Sequence, residues 1–172
     1  MLRVFNRSLI CMYPRTLITA TLSGLLVIGT ASLSSATAMA AGFPLTSSQL
    51  EQAELLYRQG LSQHAKGNFE AAINLYTESL DLNPASVETY SARAGALGNL
   101  EEYDAAILDY SAAIALDEDL AAAYGGRGWA LYLKGELDAG VDDLWIAAQL
   151  FQEQNQTEQY FKTLAIIEQL AP

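Results

Sequence analysis

Residues able to do chemistry are few in this chain, and their settings argue against most chemistry. Histidine occurs once, at His64, and cysteine once, at Cys11. His64 has no second histidine at the spacing that holds a metal on one helix face, so it reads as a surface or groove residue. Carboxylates stand side by side at Glu101-Glu102 and Asp142-Asp143. Adjacent residues in a helix do not face each other, so both pairs read as complements to the dipole at helix starts rather than as an acid–base couple. Asp117-Glu118-Asp119 lacks the alternating ligands, the glycine and the distant glutamate of a calcium loop. Gly125-Gly126-Arg127-Gly128 has the glycines of a phosphate loop, but no strand precedes it. No catalytic residue, metal ligand or cofactor site is therefore assigned. The chain reads as a protein without enzymatic activity.

One pair of polar positions does carry information. Arg93 and Arg127 are 34 residues apart, and so are Asp109 and Asp143, each sixteen residues beyond its arginine. One period upstream stand Gln59 and Leu75, so arginine and aspartate change together. A partly buried arginine needs a partner, and the joint loss predicts that each arginine pairs with its aspartate across a hairpin or with a neighbouring unit.

The 34-residue spacing runs through the middle of the chain. Setting Ala53–Ser86, Val87–Leu120 and Ala121–Gln154 side by side, without a gap, brings small residues together at three places. They are Gly60, Ala94 and Gly128; Ala72, Ala106 and Gly140; and Ser79, Ala113 and Ala147. Large apolar residues recur at Phe69, Tyr103 and Leu137 and at Tyr76, Tyr110 and Leu144, with turn signals at Lys66-Gly67-Asn68, Asn99-Leu100-Glu101 and Lys134-Gly135-Glu136. Recurring small residues mean backbones that approach closely at the same point of each unit, as in stacked helix pairs. Helices are expected at about 47–65, 69–81, 86–98, 103–116, 120–133 and 137–154, with Thr46 and Gln49 as a capping box at the first. A last helix to about Leu170 should present Tyr160, Leu164 and Ile167, with Phe161 and Ala165, as its apolar stripe and cap the stack.

This pattern resembles the tetratricopeptide (TPR) repeat, a 34-residue unit with small residues at its eighth, twentieth and twenty-seventh positions. The match covers Ala53–Gln154, about three-fifths of the chain. It departs from the family at the closing proline, present only as Pro84, and in its tryptophan, which is Trp129. The resemblance implies an all-α, right-handed α-solenoid: three TPR hairpins (53–86, 87–120, 121–154) within 49–154, preceded by a polar entry at 41–48 and followed by a capping helix in 155–172. Small bacterial TPR proteins, cyanobacterial ones especially, are similar in the looseness of the third unit and the form of the last helix. Some TPR domains clamp a C-terminal carboxylate with Lys, Asn and Arg, but the matching positions here hold Tyr57, Leu61, Ala92, Ala122 and Gly126. That role is not implied.

Function in such a fold lies on the concave face formed by the first helix of each unit. The positions projecting there are Glu54, Tyr57, Leu61, His64 and Ala65, then Glu88, Ser91, Gly95, Gly98 and Asn99, then Ala122, Gly125, Trp129, Tyr132 and Leu133. The middle of this trough is bare of large side chains and its flanks are aromatic. A basic or apolar protein segment, extended or helical, is the partner it suits. Self-association of a structural protein is the alternative, and a hydrolase or ligand carrier would instead need a deep enclosed pocket.

The first forty residues differ in kind. Their only charges are Arg3, Arg7 and Arg15, followed by an uncharged run with its apolar centre at Leu22–Leu33, ending in Ala38-Met39-Ala40. These are the parts of a secretory signal peptide, residues 1–40. An uncleaved anchor formed by residues 16–38 is the alternative. The expected compartment is a periplasm or thylakoid lumen. Without that segment the chain has no cysteine, and six basic residues face twenty acidic ones, a net charge of -14. Such a balance excludes nucleic-acid binding and adsorption to anionic membranes, and favours a basic partner. Cleavage should leave Ala41 as the first residue of a soluble chain. Intact mass of protein from its native host checks this, and a full-length product retained on salt-washed membranes would favour the anchor.

Overall fold

In the computed structural model the described residues are 45–170, and every regular element among them is helical. They are α1 (Ser47–Ala65), α2 (Phe69–Leu82), α3 (Val87–Asn99), α4 (Tyr103–Leu116), α5 (Ala121–Lys134), α6 (Leu137–Glu153) and α7 (Thr157–Leu170). Consecutive helices pack on one another from end to end of the series. α1–α2, α3–α4 and α5–α6 are the three hairpins expected from the 34-residue register. The signal segment and its cleavage site lie outside the described residues, and among those described no helix is long and apolar enough to cross a membrane.

Chain chemistry sets the boundaries. The Thr46 hydroxyl accepts from the Gln49 amide at 3.2 Å while Gln49 Oε1 accepts from the Thr46 amide at 2.9 Å, the reciprocal capping box. Ser86 caps α3 with a single bond, its hydroxyl accepting from Thr89 N at 3.3 Å. Each hairpin turns through one left-handed residue at one repeat position: Gly67 (φ 79°), Glu101 (φ 61°) and Gly135 (φ 99°). Glycine takes this conformation freely, whereas Glu101 holds it at a cost of about 1 kcal/mol. The carboxylate pairs therefore need revision. Glu101-Glu102 forms this turn, and Asp142-Asp143 lies inside α6 rather than at its start.

All nine small residues are buried, and the spaces they occupy explain why. A Cβ on Gly128 would lie 2.7 Å from the Gly140 carbonyl oxygen, and one on Gly140 2.7 Å from that of Gly128. A Cβ on Gly60 would meet the ring of Tyr76 at 2.5 Å, and that ring is fully buried and has nowhere to go. Around these approaches sit small apolar clusters, such as Ala72, Tyr76 and Ala96 between the first two units and Ala94, Leu97, Ala106 and Ala130 between the next two.

α7 packs on α6, but not with the whole stripe expected of it. Ile167 and Thr163 are buried, with Tyr160, Leu164, Ile166 and Leu170 beside them. Phe161 is 62% exposed and Ala165 is exposed. Register is the reason. The first-turn bonds Tyr90 N to Ser86 O and Tyr124 N to Leu120 O recur as Tyr160 N to Gln156 O, two residues later than the period gives. α7 thus stands as the first helix of a fourth unit whose second helix is not present among the described residues, and Phe161 and Ala165 fall at its open positions.

Arginine and aspartate pair as the joint substitution implies. Arg93 donates Nε and Nη2 to Asp109 at 2.7 and 2.8 Å, and Arg127 donates the same atoms to Asp143 at 2.6 and 3.0 Å. In both cases Nη1 reaches back to a hydroxyl on the preceding unit, Thr77 at 3.0 Å or Ser111 at 3.1 Å. Hydrogen bonding to the aspartate, against the opposing effect of burial, holds each guanidinium above its usual range. Asp109→Ala should cost about 3 kcal/mol, because it strands a desolvated guanidinium. Adding Arg93→Met should recover part of that loss. Urea melts of the double-mutant cycle check it, and strictly additive losses would count against the pairing.

Candidate functional site

Helices α1, α3 and α5 place part of the expected concave set at two hollows that share α3. Tyr57, Glu88, Ser91 and Ala122 stand at one and Gly95, Gly98, Asn99, Trp129 and Leu133 at the other, while Glu54, Leu61, His64, Ala65, Gly125 and Tyr132 line neither. Ser91, Gly95 and Gly98 stand at i, i+4 and i+7, one face of that helix. Towards its carboxyl end a cleft of about 270 Å³ is lined by Gly95, Gly98, Asn99, Trp129 and Leu133 together with Tyr103 and Tyr110. Trp129 and Tyr132 stack with ring centres 5.8 Å apart and planes 17° apart. Trp129 remains 44% exposed and Leu133 42%, and both line the cleft, so Trp129 faces the trough and is not core beneath the last helix, while Tyr132 stands partly exposed beside it. His64 meets Phe69 edge to face at 5.3 Å and lies against the same helix, its Nε2 3.5 Å from Asn99 Nδ2.

At the amino end of α3 a broader hollow of about 400 Å³ is lined by Tyr57, Val87, Glu88, Ser91, Ala92, Asp117, Leu120 and Ala122. Tyr57 is partly buried, and burial, then Glu88, then Glu54 push its phenol above the usual value. Leu61 is 41% exposed on the same helix as Tyr57. Glu54 is exposed and held by Arg58 at 2.7 Å, which leaves Glu88 and Asp117 as the carboxylates at the hollow itself.

The first-helix faces read from the sequence lacked side chains that other elements supply, Tyr103 and Tyr110 in the cleft and Asp117 in the broader hollow. Tyr110 comes from the second helix of its unit, and its ring passes under α5 where a Cβ on Gly126 would collide with it. Its burial pushes the phenol up. Pairing Gly126 with the repeated tyrosine position was the available signal. Asp117, considered only as a calcium candidate, enters through the loop between units, whose path an alignment of helices does not show. Among the described residues no group of acidic, histidine or cysteine side chains is placed to hold a metal. Open aromatic and acidic hollows of this kind can grip side chains of a partner segment.

Glycines along the trough divide into two sorts. Gly126 is demanded by the Tyr110 ring, whereas a Cβ on Gly98 would meet nothing within 4 Å and one on Gly95 only ordinary contacts beginning at 3.6 Å. Gly98→Ala should therefore raise stability by about 1 kcal/mol through helix propensity alone. Gly126→Ala should lower it by about 1–3 kcal/mol through overpacking. Thermal melts of the two variants, moving in opposite directions, check this assignment.

Comparison with known proteins agrees with the geometry. Models described as tetratricopeptide repeat match residues 53–86 and 87–120, the first two units in the same register. Hsc70-interacting protein 1 of Drosophila melanogaster is 35% identical over 118 residues, covering 68% of this chain and 31% of that protein. This chain thus spans about a third of that relative's length, and a eukaryotic relative lends no support to a bacterial or cyanobacterial origin. The first TPR of Spaghetti (RPAP3), solved bound to an HSP90 peptide, superposes with a TM-score of 0.57 at 26% identity, covering 67% of this chain and 94% of that one. The Yersinia enterocolitica type III secretion translocator chaperone SycD has a TM-score of 0.67 at 21% identity over 78% of this chain and 91% of its own, a likeness of fold. By register, sequence and fold, residues 53–120 are two tetratricopeptide repeats within an all-helical solenoid.

Proposed function

We propose that this chain is a non-enzymatic adaptor that holds a segment of another protein in its concave trough. The observation that carries this reading is the half-exposed Trp129, stacked on Tyr132, in a cleft it shares with two glycines that packing does not require. Side chains of a partner supply the volume that Gly95 and Gly98 leave open. Peptide binding by the Spaghetti domain, and the partner in the name of the fly relative, support a peptide-holding role of the same type. They do not carry a chaperone tail to this chain. Tyr57, Leu61, Ala92, Ala122 and Gly126 offer no cation or amide to a terminal carboxylate, and Glu88 repels one.

Export to a periplasm or thylakoid lumen belongs to the same proposal and rests on residues 1–40 alone, with anchorage through residues 16–38 as its alternative. Assembly or scaffolding of a complex is the role that fits an exported adaptor. A second reading, self-association, is favoured by one observation: Trp145, Ile146 and Phe161 are 54%, 41% and 62% exposed on α6 and α7.

Replacing Trp129 and Tyr57 by alanine tests the trough. Helicity should be unchanged and partner capture should fall at least tenfold, since buried aromatic anchors carry 2 kcal/mol or more, at about 1.4 kcal/mol per decade. Unchanged capture by the folded double variant would move the site to the convex face. Light scattering over a range of concentrations accompanies it, and a mass that doubles with concentration would favour self-association.

A further inference from the structure

We infer that the trough grips two side chains of one segment at once: a lysine or arginine at the Glu88–Asp117 hollow and a large apolar or aromatic residue in the cleft beside Trp129, about three residues apart in an extended chain. This inference rests on the proposed trough function and specifies the partner.

Charge decides the first position. Glu88 and Asp117 are both exposed at the rim of a hollow whose walls are Tyr57, Val87, Ala92 and Leu120. No basic residue lines either hollow. The arginines of the described residues are already held, Arg58 by Glu54, Arg93 by Asp109 and Arg127 by Asp143. Helix amino ends oppose a cation, each equivalent to about half a positive charge, and both α3 and α5 begin here. The end of α3 is capped by Ser86, and two whole carboxylate charges outweigh what remains. Apolar walls under an acidic rim match a long side chain with an aliphatic stem and a charged head. For an acidic or C-terminal group the balance is net repulsion.

Shape decides the second position. The cleft is floored by glycine and walled by Tyr103, Tyr110, Trp129 and Leu133, so it takes a bulky apolar group and offers it aromatic faces. Spacing follows from the helix between them. Ser91 and Gly98 are seven residues apart on α3, about 10 Å at 1.5 Å per residue. An extended segment covers that in three residues at about 3.3 Å each, and a helical one lying along α3 would need seven.

A displayed library of random ten-residue internal segments, selected on the full chain, tests this. Selected segments should pair Lys or Arg with Trp, Phe, Leu or Met about three residues away. Glu88→Gln with Asp117→Asn should weaken a selected synthetic segment about five- to tenfold, as expected for two rim ion pairs, and abolish the preference for a basic residue on reselection. Salt should weaken binding to the parent more than to this variant. Apolar segments that bind equally to parent and carboxylate variant, yet fail on Trp129→Ala, would overturn the two-point grip and leave the trough in place. Segments indifferent to Trp129, or a library that enriches nothing, would overturn both. Enrichment of acidic segments would reverse the assigned charge.

Discussion

Within each hairpin the two helices meet where only a hydrogen atom, a methyl or a small hydroxymethyl group fits. The Gly128–Gly140 contact is the tightest case, each glycine standing where the other's carbonyl oxygen forbids a Cβ. Ala94 and Ala106, or Gly60 and Ala72, hold the same place in the other units. So close a crossing leaves little room for large side chains between paired helices, and these go elsewhere. Tyr110 projects from its second helix into the seam with the following unit, and Tyr76 lies over Gly60, where only a hydrogen leaves room for its ring, and reaches Ala96 of the next unit. Trp129, stacked on Tyr132, projects from a first helix into the trough. The constraint that builds the scaffold therefore also supplies the aromatic surface it presents.

Apolar contact alone specifies poorly how one hairpin sits on the next, since the fully buried members of its clusters are mostly alanine. The arginines add direction. Each guanidinium is fixed by two parallel bonds within its own unit and aims its third nitrogen at the hydroxyl of the unit before. Tyr90 and Tyr124 lie 5.8 and 5.5 Å from the Arg93 and Arg127 guanidinium carbons, contributing a cation–π contact. Such a network needs a unit on its amino side. Among the described residues the first hairpin has none, and Gln59 with Leu75 stands there. At the other end Trp145 occupies the place of Thr77 and Ser111, and no arginine of α7 answers it.

What was legible in the residues was whatever obeys the 34-residue register: the hairpins, the nine small contacts and the arginine pairs. Each depends on positions inside a unit or on strict translation from one unit to the next. What was not legible depends on the turn between units and on local departures from the period. Asp117 reaches the trough because the chain leaves α4 on that side. Phe161 faces outward because two added residues, with Asn155 at φ 58°, shift α7 around its axis. Glu101 in a left-handed turn could be inferred only from the glycines one period away on either side. The Tyr110–Gly126 seam required two helices from different units to be considered together.

The trough carries a cost that the scaffold does not explain. Glycine inside a helix is worth about 1 kcal/mol less than alanine, and at Gly60, Gly126, Gly128 and Gly140 packing accounts for that loss. Gly98 brings no contact in exchange, and Gly95 only ordinary ones. Both lie on α3, which also presents Ser91 with its hydroxyl buried and unpartnered among the described residues, a further cost of about 1–3 kcal/mol. The middle unit is thus held below the stability its position would allow, on the helix that both hollows share. A ligand that binds only the folded form raises stability by mass action. Filling the cleft adds apolar burial on α3, where the free protein forgoes it. Occupation of the trough and rigidity of the central hairpin should therefore rise together, with the outer hairpins, already joined through Arg93 and Arg127, following the middle one.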